Sequence, residues 1–191
     1  MALNGADSKY LPPPAVGRWR AYERSALQIR RFVGLGIHER LDPYALTALL
    51  GLQVLKLDDL KYLPAATRNL VANADAWSGA AISTGDSHIV LINSTQSLNR
   101  QTATLMEEVC HILLGHRPSI VSHLALGGRD YDHFKEDEAY AVGAAALTPY
   151  FLLKSSLAAK EDPRALARRL GVSLALLTYR VKGLCLSSLF T

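Results

Sequence analysis

A chain of 191 residues is long enough to form one domain of ordinary size with a hydrophobic core of its own. Its 49% hydrophobic and 20% charged residues are normal for a soluble globular protein, and a net charge of +4 is too small to indicate nucleic-acid binding by itself. Two cysteines exclude a disulfide framework, and we find neither an apolar leader nor an apolar run of membrane length, so we predict a cytoplasmic protein.

The sequence pattern predicts a mostly helical protein with one small sheet. Consecutive prolines prevent regular structure near the start, and an Asp before a Pro is typical of a helix start. The predicted elements are a flexible tail over 1–16, a basic amphipathic helix over 17–34, a helix from Asp42-Pro43 to Gly51, a strand at LQVLKL, a loop with a turn or two of helix over 58–75, a hairpin of WSGAAIS and SHIVLINS around Thr84-Gly85-Asp86, and helices over 96–115, 132–154 and 163–186.

The predicted fold class is therefore α+β, with a small three-stranded antiparallel or mixed sheet and a C-terminal helical pair. We expect a single domain over 17–191 that includes this pair, which covers 162–186 and is interrupted at Gly171. Cys110 and Cys185 are both predicted to be small buried apolar residues.

The segment TLMEEVCHILLGH, residues 104–116, predicts an apolar helix with one narrow polar stripe. Residues four apart on a helix are stacked about 5–6 Å apart, so Glu107 and His111 can bind one metal ion. Glu108 lies beside them, where it can take a proton from an attacking water molecule as a general base. The simpler interpretation is that the stripe faces solvent, as the polar face of most helices does.

A catalytic zinc site needs a third protein ligand, and the helix that contains FKEDEAYAVGAAALTPY can supply one. Its first turn carries Glu136 and Glu138, and the small residues Ala139 and Gly143 would allow close packing that brings Glu136 over the polar stripe. We predict Glu136 as the ligand and leave Glu138 as the alternative. Acidic residues in a first turn are also favoured by the helix dipole without any metal. His116 lies about 140° from the stripe on an ideal helix, so it is predicted to interact with the helix end and to be a ligand only if the helix unwinds at Gly115.

These motifs together resemble those of the ImmA/IrrE family of metallopeptidases. EEVCH stands where the family has H-E-x-x-H, and the matching flanking residues are Arg100, Gln101, Glu136, Ala139 and Pro149. The resemblance extends over about 40–186 and implies a zincin-like minimal metallopeptidase domain with one divalent metal. It further implies a protein or peptide substrate, namely a helix-turn-helix repressor. Neither a membrane nor a nucleic acid is an expected partner.

Glu107 departs from the family pattern, which has a histidine at that position. A carboxylate is a normal zinc ligand, so a metal site of Glu107, His111 and Glu136 with Glu108 as the catalytic base remains the prediction. Because this ligand set is harder and more anionic than two histidines and a glutamate, zinc is the expected ion and manganese or iron(II) are the alternatives.

Two other functions are open on the sequence. The first is a catalytically inert interaction module of the same fold that binds a peptide along an exposed strand, for which we predict the edge of SHIVLI. The second is a DNA-binding regulator that uses the basic helical pair over 162–186. The second helix of that pair begins with Leu174, Ala175, Leu176 and Leu177, which cannot read base edges, so DNA binding is the less favoured function.

Overall fold

The computed structural model describes residues 17–62, 77–84, 87–116 and 133–190. It confirms a mostly helical α+β fold with one small sheet. The helices are α1 Gly17–Phe32, α2 Pro43–Leu49, α3 Leu98–Leu113, α4 His133–Leu147, α5 Tyr150–Ala158, α6 Pro163–Leu170 and α7 Leu174–Gly183, the strands are β1 Gln53–Lys56, β2 Gly79–Thr84 and β3 Ser87–Ile92, and two short 3-10 helices cover Leu57–Tyr62 and Ser187–Leu189. The tail predicted over 1–16, most of the loop predicted over 58–75 and the hairpin residues 85–86 lie outside the described residues.

The sheet is mixed, with the strand order β1-β3-β2. β3 pairs in parallel with β1 and antiparallel with β2. The prediction that SHIVLI offers an exposed edge to a peptide was therefore wrong, because both edges of this strand are already hydrogen-bonded. Val90, Leu91 and Ile92 are all buried, and such a continuous apolar run is typical of a central strand.

The described residues divide between two compact units. The sheet unit is Asp42–Tyr140, and the helical unit is Met1–Leu41 with Ala141–Thr191. A single domain over 17–191 stays a prediction.

In the sheet unit, α3 packs closely on β2. A β-carbon added at Gly79 would lie 2.5 Å from Cγ2 of Thr104, so only glycine allows this approach. Leu105, Met106, Val109 and Cys110 of α3 are fully buried. The buried apolar side of α3 thus fixes the orientation of the helix in the sheet unit. The polar stripe lies on the side of the helix that is not fully buried.

The core of the helical unit contains two buried arginines. Nη1 of Arg30 donates to the carbonyl oxygen of Ala146 at 2.8 Å. Arg180 forms an ion pair with Glu23 and lies 5.5 Å from the ring centroid of Trp19. Because unpaired buried charges cost several kcal/mol, these partners are needed for the arginines to stay inside.

The helix predicted over 132–154 is two helices, which was not foreseen. α4 ends at Leu147 and α5 begins at Tyr150. Pro149 has no N–H to donate and disfavours the helical conformation of Thr148, so the chain bends there. Within the described residues no single helix is long and apolar enough to cross a membrane, although α4 and α5, bent by 51°, pass on length and composition when taken together.

Cys110 is buried as predicted, but Cys185 is exposed. Cys185 follows the end of α7 and has a φ of +56°, and Lys160 after α5 has a φ of +57°. Each N–H there bonds back into the last turn of its helix, from Cys185 to Lys182 and from Lys160 to Leu157. This is the left-handed position that ends many helices, and it points the side chain to solvent.

Candidate metal centre

The polar stripe of α3, formed by Glu107, Glu108 and His111, lies in the second half of the helix. Ser97 caps the helix by accepting a hydrogen bond from the N–H of Arg100. Glu107, Glu108 and His111 are half-buried, whereas their apolar neighbours on α3 are buried. The narrow polar face predicted from the sequence is thus confirmed, and its acidic and imidazole groups are held by a rigid helix.

Three side chains come together at this face. One possible ligand atom from each of Glu107, His111 and Glu136 lies within 4.8 Å of the other two. Nε2 of His111 is 3.6 Å from Oε2 of Glu136, which α4 contributes. Bonds of about 2.0–2.2 Å to a tetrahedral zinc ion would place two ligand atoms about 3.3–3.6 Å apart, so this separation fits a shared ion.

Glu138 does not belong to this group. Its Oε2 atom lies 3.2 Å from Nε2 of His116 instead. Ala139 is fully buried, so α4 turns this small residue inward and leaves the first-turn carboxylates at the surface of the unit. Of the two acids that the sequence left open, the structure brings Glu136 to Glu107 and His111.

The charges in the group favour a cation. The pKa of Glu107 is raised to about 7, first by burial and then by the negative charges of Glu108 and Glu136. Burial lowers the pKa of His111, but the pairing with Glu136 and the charge of Glu108 outweigh that effect, and the net pKa is raised. Groups that hold protons more tightly than usual because of crowded negative charge are stabilised when a divalent cation takes the place of those protons.

Glu108 stands next to the group without being a member of it. Its negative charge raises the pKa of both Glu107 and His111, so it lies close to each. A half-buried carboxylate at that distance can take a proton from a water molecule held by its neighbours.

His116 is a site residue that the sequence reasoning placed elsewhere. Its Nδ1 atom is 3.1 Å from Nδ1 of His111, and the two ring centroids are 5.1 Å apart. The helix ends before His116, because Gly115 has a φ of +71° and the N–H of His116 donates to the carbonyl of His111 at 2.9 Å. This Schellman motif folds His116 back over His111, and the glycine directly after an apolar helix was the signal for it.

Tyr140 was also missed. Burial, followed by the charge of Glu107, raises its pKa, and the charge of Arg100 opposes the shift. The tyrosine therefore lies near Glu107 and Arg100 of α3. Its position four residues after Glu136 placed both on one face of α4, which was the available signal.

Comparisons with known proteins identify the family and the fold. A family model described as the IrrE N-terminal-like domain, a peptidase family, matches residues 50–182. No curated protein matches the chain. Among solved structures, a Mycobacterium tuberculosis transcriptional regulator aligns with a TM-score of 0.51 and 14% identity, over 86% of this chain and 46% of its own. That likeness shows the fold alone, and this chain spans less than half the length of that regulator.

Proposed function

Because the chain belongs to the IrrE N-terminal-like peptidase family, we propose that it is a metal-dependent endopeptidase with Glu107, His111 and Glu136 as metal ligands and Glu108 as the general base. The observation that carries the proposal is the meeting of these three side chains, two from α3 and one from α4, in the residues that the family model covers.

The ligand set fits a divalent ion that accepts oxygen and nitrogen donors. Zinc is the first candidate, and manganese or iron(II) are alternatives because two carboxylates make the site harder than usual. Such an ion, when bound, lowers the pKa of water and polarises a peptide carbonyl. Three protein ligands leave a fourth position open, which a catalytic site requires.

In this proposal Glu108 moves the proton. Its carboxylate takes a proton from the attacking water and gives it to the amide nitrogen as the peptide bond breaks, so the carboxylate is restored at the end. Glu107 and His111 share the helix with Glu108, which fixes the base relative to the ligands without any loop movement.

The substrate we propose is a protein, and specifically a helix-turn-helix regulator. Support for a protein substrate comes from the peptidase family. Support for a regulatory context comes from the fold likeness to a transcriptional regulator, which is weaker because of its 14% identity.

The second candidate is an inert interaction module of the same fold. Glu107 favours it, because the family pattern has a histidine at this position and a carboxylate is a less typical ligand for catalytic zinc. The test is cleavage of a peptide library, read by mass spectrometry, by the zinc-, manganese- and iron-loaded protein. We expect Glu108→Gln to keep the metal and lose every cut, with Asp137→Asn, an exposed acid on α4, as the charge-matched control. A metal-loaded wild type that cuts nothing would favour the inert module.

A further inference from the structure

Three side chains in contact, His111, His116 and Glu138, form a relay that leads away from the proposed metal ligand His111. Nδ1 of His111 faces Nδ1 of His116 at 3.1 Å, and Nε2 of His116 faces Oε2 of Glu138 at 3.2 Å. The side chain of His116 is only 7% exposed, and Glu138 stands at the outer end with 32% exposure. The first contact joins α3 to its own C-terminal turn, and the second joins that turn to the first part of α4, within the sheet unit.

The hydrogen bonds of this relay allow one placement of the ring protons when both imidazoles are neutral. A carboxylate only accepts hydrogen bonds, so Glu138 requires a proton on Nε2 of His116. Neutral His116 then has only a lone pair on Nδ1, which must accept from the Nδ1–H of His111. His111 is left with a lone pair on Nε2, the atom that a metal would bind. The carboxylate of Glu136 also only accepts hydrogen bonds, but it lies 3.6 Å from that atom, beyond hydrogen-bonding distance, so the contacts at 3.1 and 3.2 Å decide the proton positions.

We propose that His116 and Glu138 are positioning residues that fix the tautomer and ring orientation of His111 for metal binding. This inference rests on the proposed role of His111 as a ligand. Metal-binding histidines commonly donate their second ring N–H to an outer partner, whose loss weakens metal binding. Here the outer partner is a second imidazole, itself oriented by a carboxylate.

The backbone holds the two rings in register. His116 is bonded to His111 through its own N–H as well as through its ring, because the Schellman motif at Gly115 closes the helix there. The backbone of α3 thus fixes the position of His111. Glu138 on α4 determines which ring nitrogens of His116 and His111 carry a proton. Asp137, next to Glu138 on α4 and exposed, offers a matched acid outside the relay.

The test uses the full chain in two measurements on wild type, His116→Phe, Glu138→Gln and the control Asp137→Asn. The first is the ¹⁵N chemical shift of the His111 ring in metal-free protein, at a pH where the ring is neutral. We expect the Nδ1–H form in wild type and in Asp137→Asn. Glu138→Gln should give a mixture of tautomers, because an amide can accept or donate, and His116→Phe should lose the Nδ1–H preference.

The second measurement is the dissociation constant for zinc by competition with a chelator. We expect zinc binding to weaken about 10- to 100-fold in His116→Phe and in Glu138→Gln, and to change by less than about threefold in Asp137→Asn. An Nε2–H tautomer in wild type, or zinc affinity that is equal in wild type and Glu138→Gln, would overturn the relay. A wild type that binds no zinc, manganese or iron would instead overturn the proposed function, and the tautomer measurement would still decide whether the relay exists.

Discussion

Nε2 of His111 lies 3.6 Å from Oε2 of Glu136, and the two residues belong to different helices. The spacing of residues along α3 places His111 on the polar stripe. Packing between α3 and α4 brings Glu136 to it. With Glu107 added, the three side chains form a group that suits one divalent ion. The predictions below follow from this group and from the parts of the fold that hold it.

Replacing Glu107 by histidine should tighten zinc binding. Imidazole suits zinc, and the change removes one of three crowded carboxylates, leaving only those of Glu108 and Glu136. We expect the dissociation constant for zinc to fall on the order of tenfold, measured by competition with a chelator. Weaker binding by Glu107→His would indicate that a carboxylate at this position is the better ligand and that zinc is not the intended ion.

The metal-free protein should lose stability as the pH rises from about 5 to about 8. The pKa of Glu107 is raised to about 7 by burial and by Glu108, and the net pKa of His111 is raised as well. Both groups then bind a proton more tightly in the folded than in the unfolded state, so their stabilisation is complete at low pH and is lost as the pH passes through the folded pKa. For Glu107 the loss is on the order of 3 kcal/mol.

Urea unfolding of metal-free wild type and Glu107→Gln across this pH range checks the effect. The glutamine variant has no carboxyl group to deprotonate, so its free energy of unfolding should fall less between pH 5 and pH 8. Zinc should stabilise wild type most above pH 7, where protons no longer compete for the ligands. Parallel pH curves for the two metal-free proteins would show that Glu107 does not have a raised pKa.

The local geometry of α3 made part of this site predictable. Glu107 and His111 are four residues apart, and that spacing places them together on any helix. His116 was misplaced because the estimate of 140° assumed that the helix continued, whereas Gly115 ends it and turns the chain back. The break at Pro149 was missed because the apolar pattern continues on both sides of it.

Strand order was harder to predict than strand identity. The hairpin of β2 and β3 is a local feature, and it was predicted from turn residues and apolar runs. The parallel pairing of β1 with β3 joins segments more than 30 residues apart, as Gln53 with Ile89, and no local pattern encodes it. That pairing places β3 in the middle of the sheet, so the strand has no free edge for the predicted peptide binding.

Substituting glycine for Cys185 or Lys160 should stabilise the protein. Both residues have a positive φ at a helix end, a conformation that costs L-residues about 1 kcal/mol and costs glycine little. We expect each glycine variant to gain about 1 kcal/mol in the free energy of unfolding by urea titration. Cys185→Ala and Lys160→Ala keep the β-carbon and serve as controls, and a gain that also occurs in the alanine variants would assign the effect to the lost side chain.

DNA binding should be weak and independent of sequence. The helical unit carries 14 basic and five acidic residues, which favours contact with phosphates. Leu176 and Leu177 of α7 are buried, and the exposed residues at its start are Leu174 and Ala175, which cannot hydrogen-bond to base edges. Fluorescence anisotropy with unrelated duplexes should give micromolar or poorer dissociation constants at physiological salt. Tight binding to one duplex at about 0.2 M salt would contradict this.

The most direct test of the metal centre is the zinc content of wild type and Glu107→Ala. Each protein is loaded with zinc, freed of excess ion by gel filtration and assayed by elemental mass spectrometry, with Asp137→Asn as the control. We expect one zinc per chain in wild type and in the control, and none in Glu107→Ala, because the variant keeps only two of the three ligands. Equal zinc in wild type and Glu107→Ala would show that Glu107 is not a metal ligand and would contradict the site.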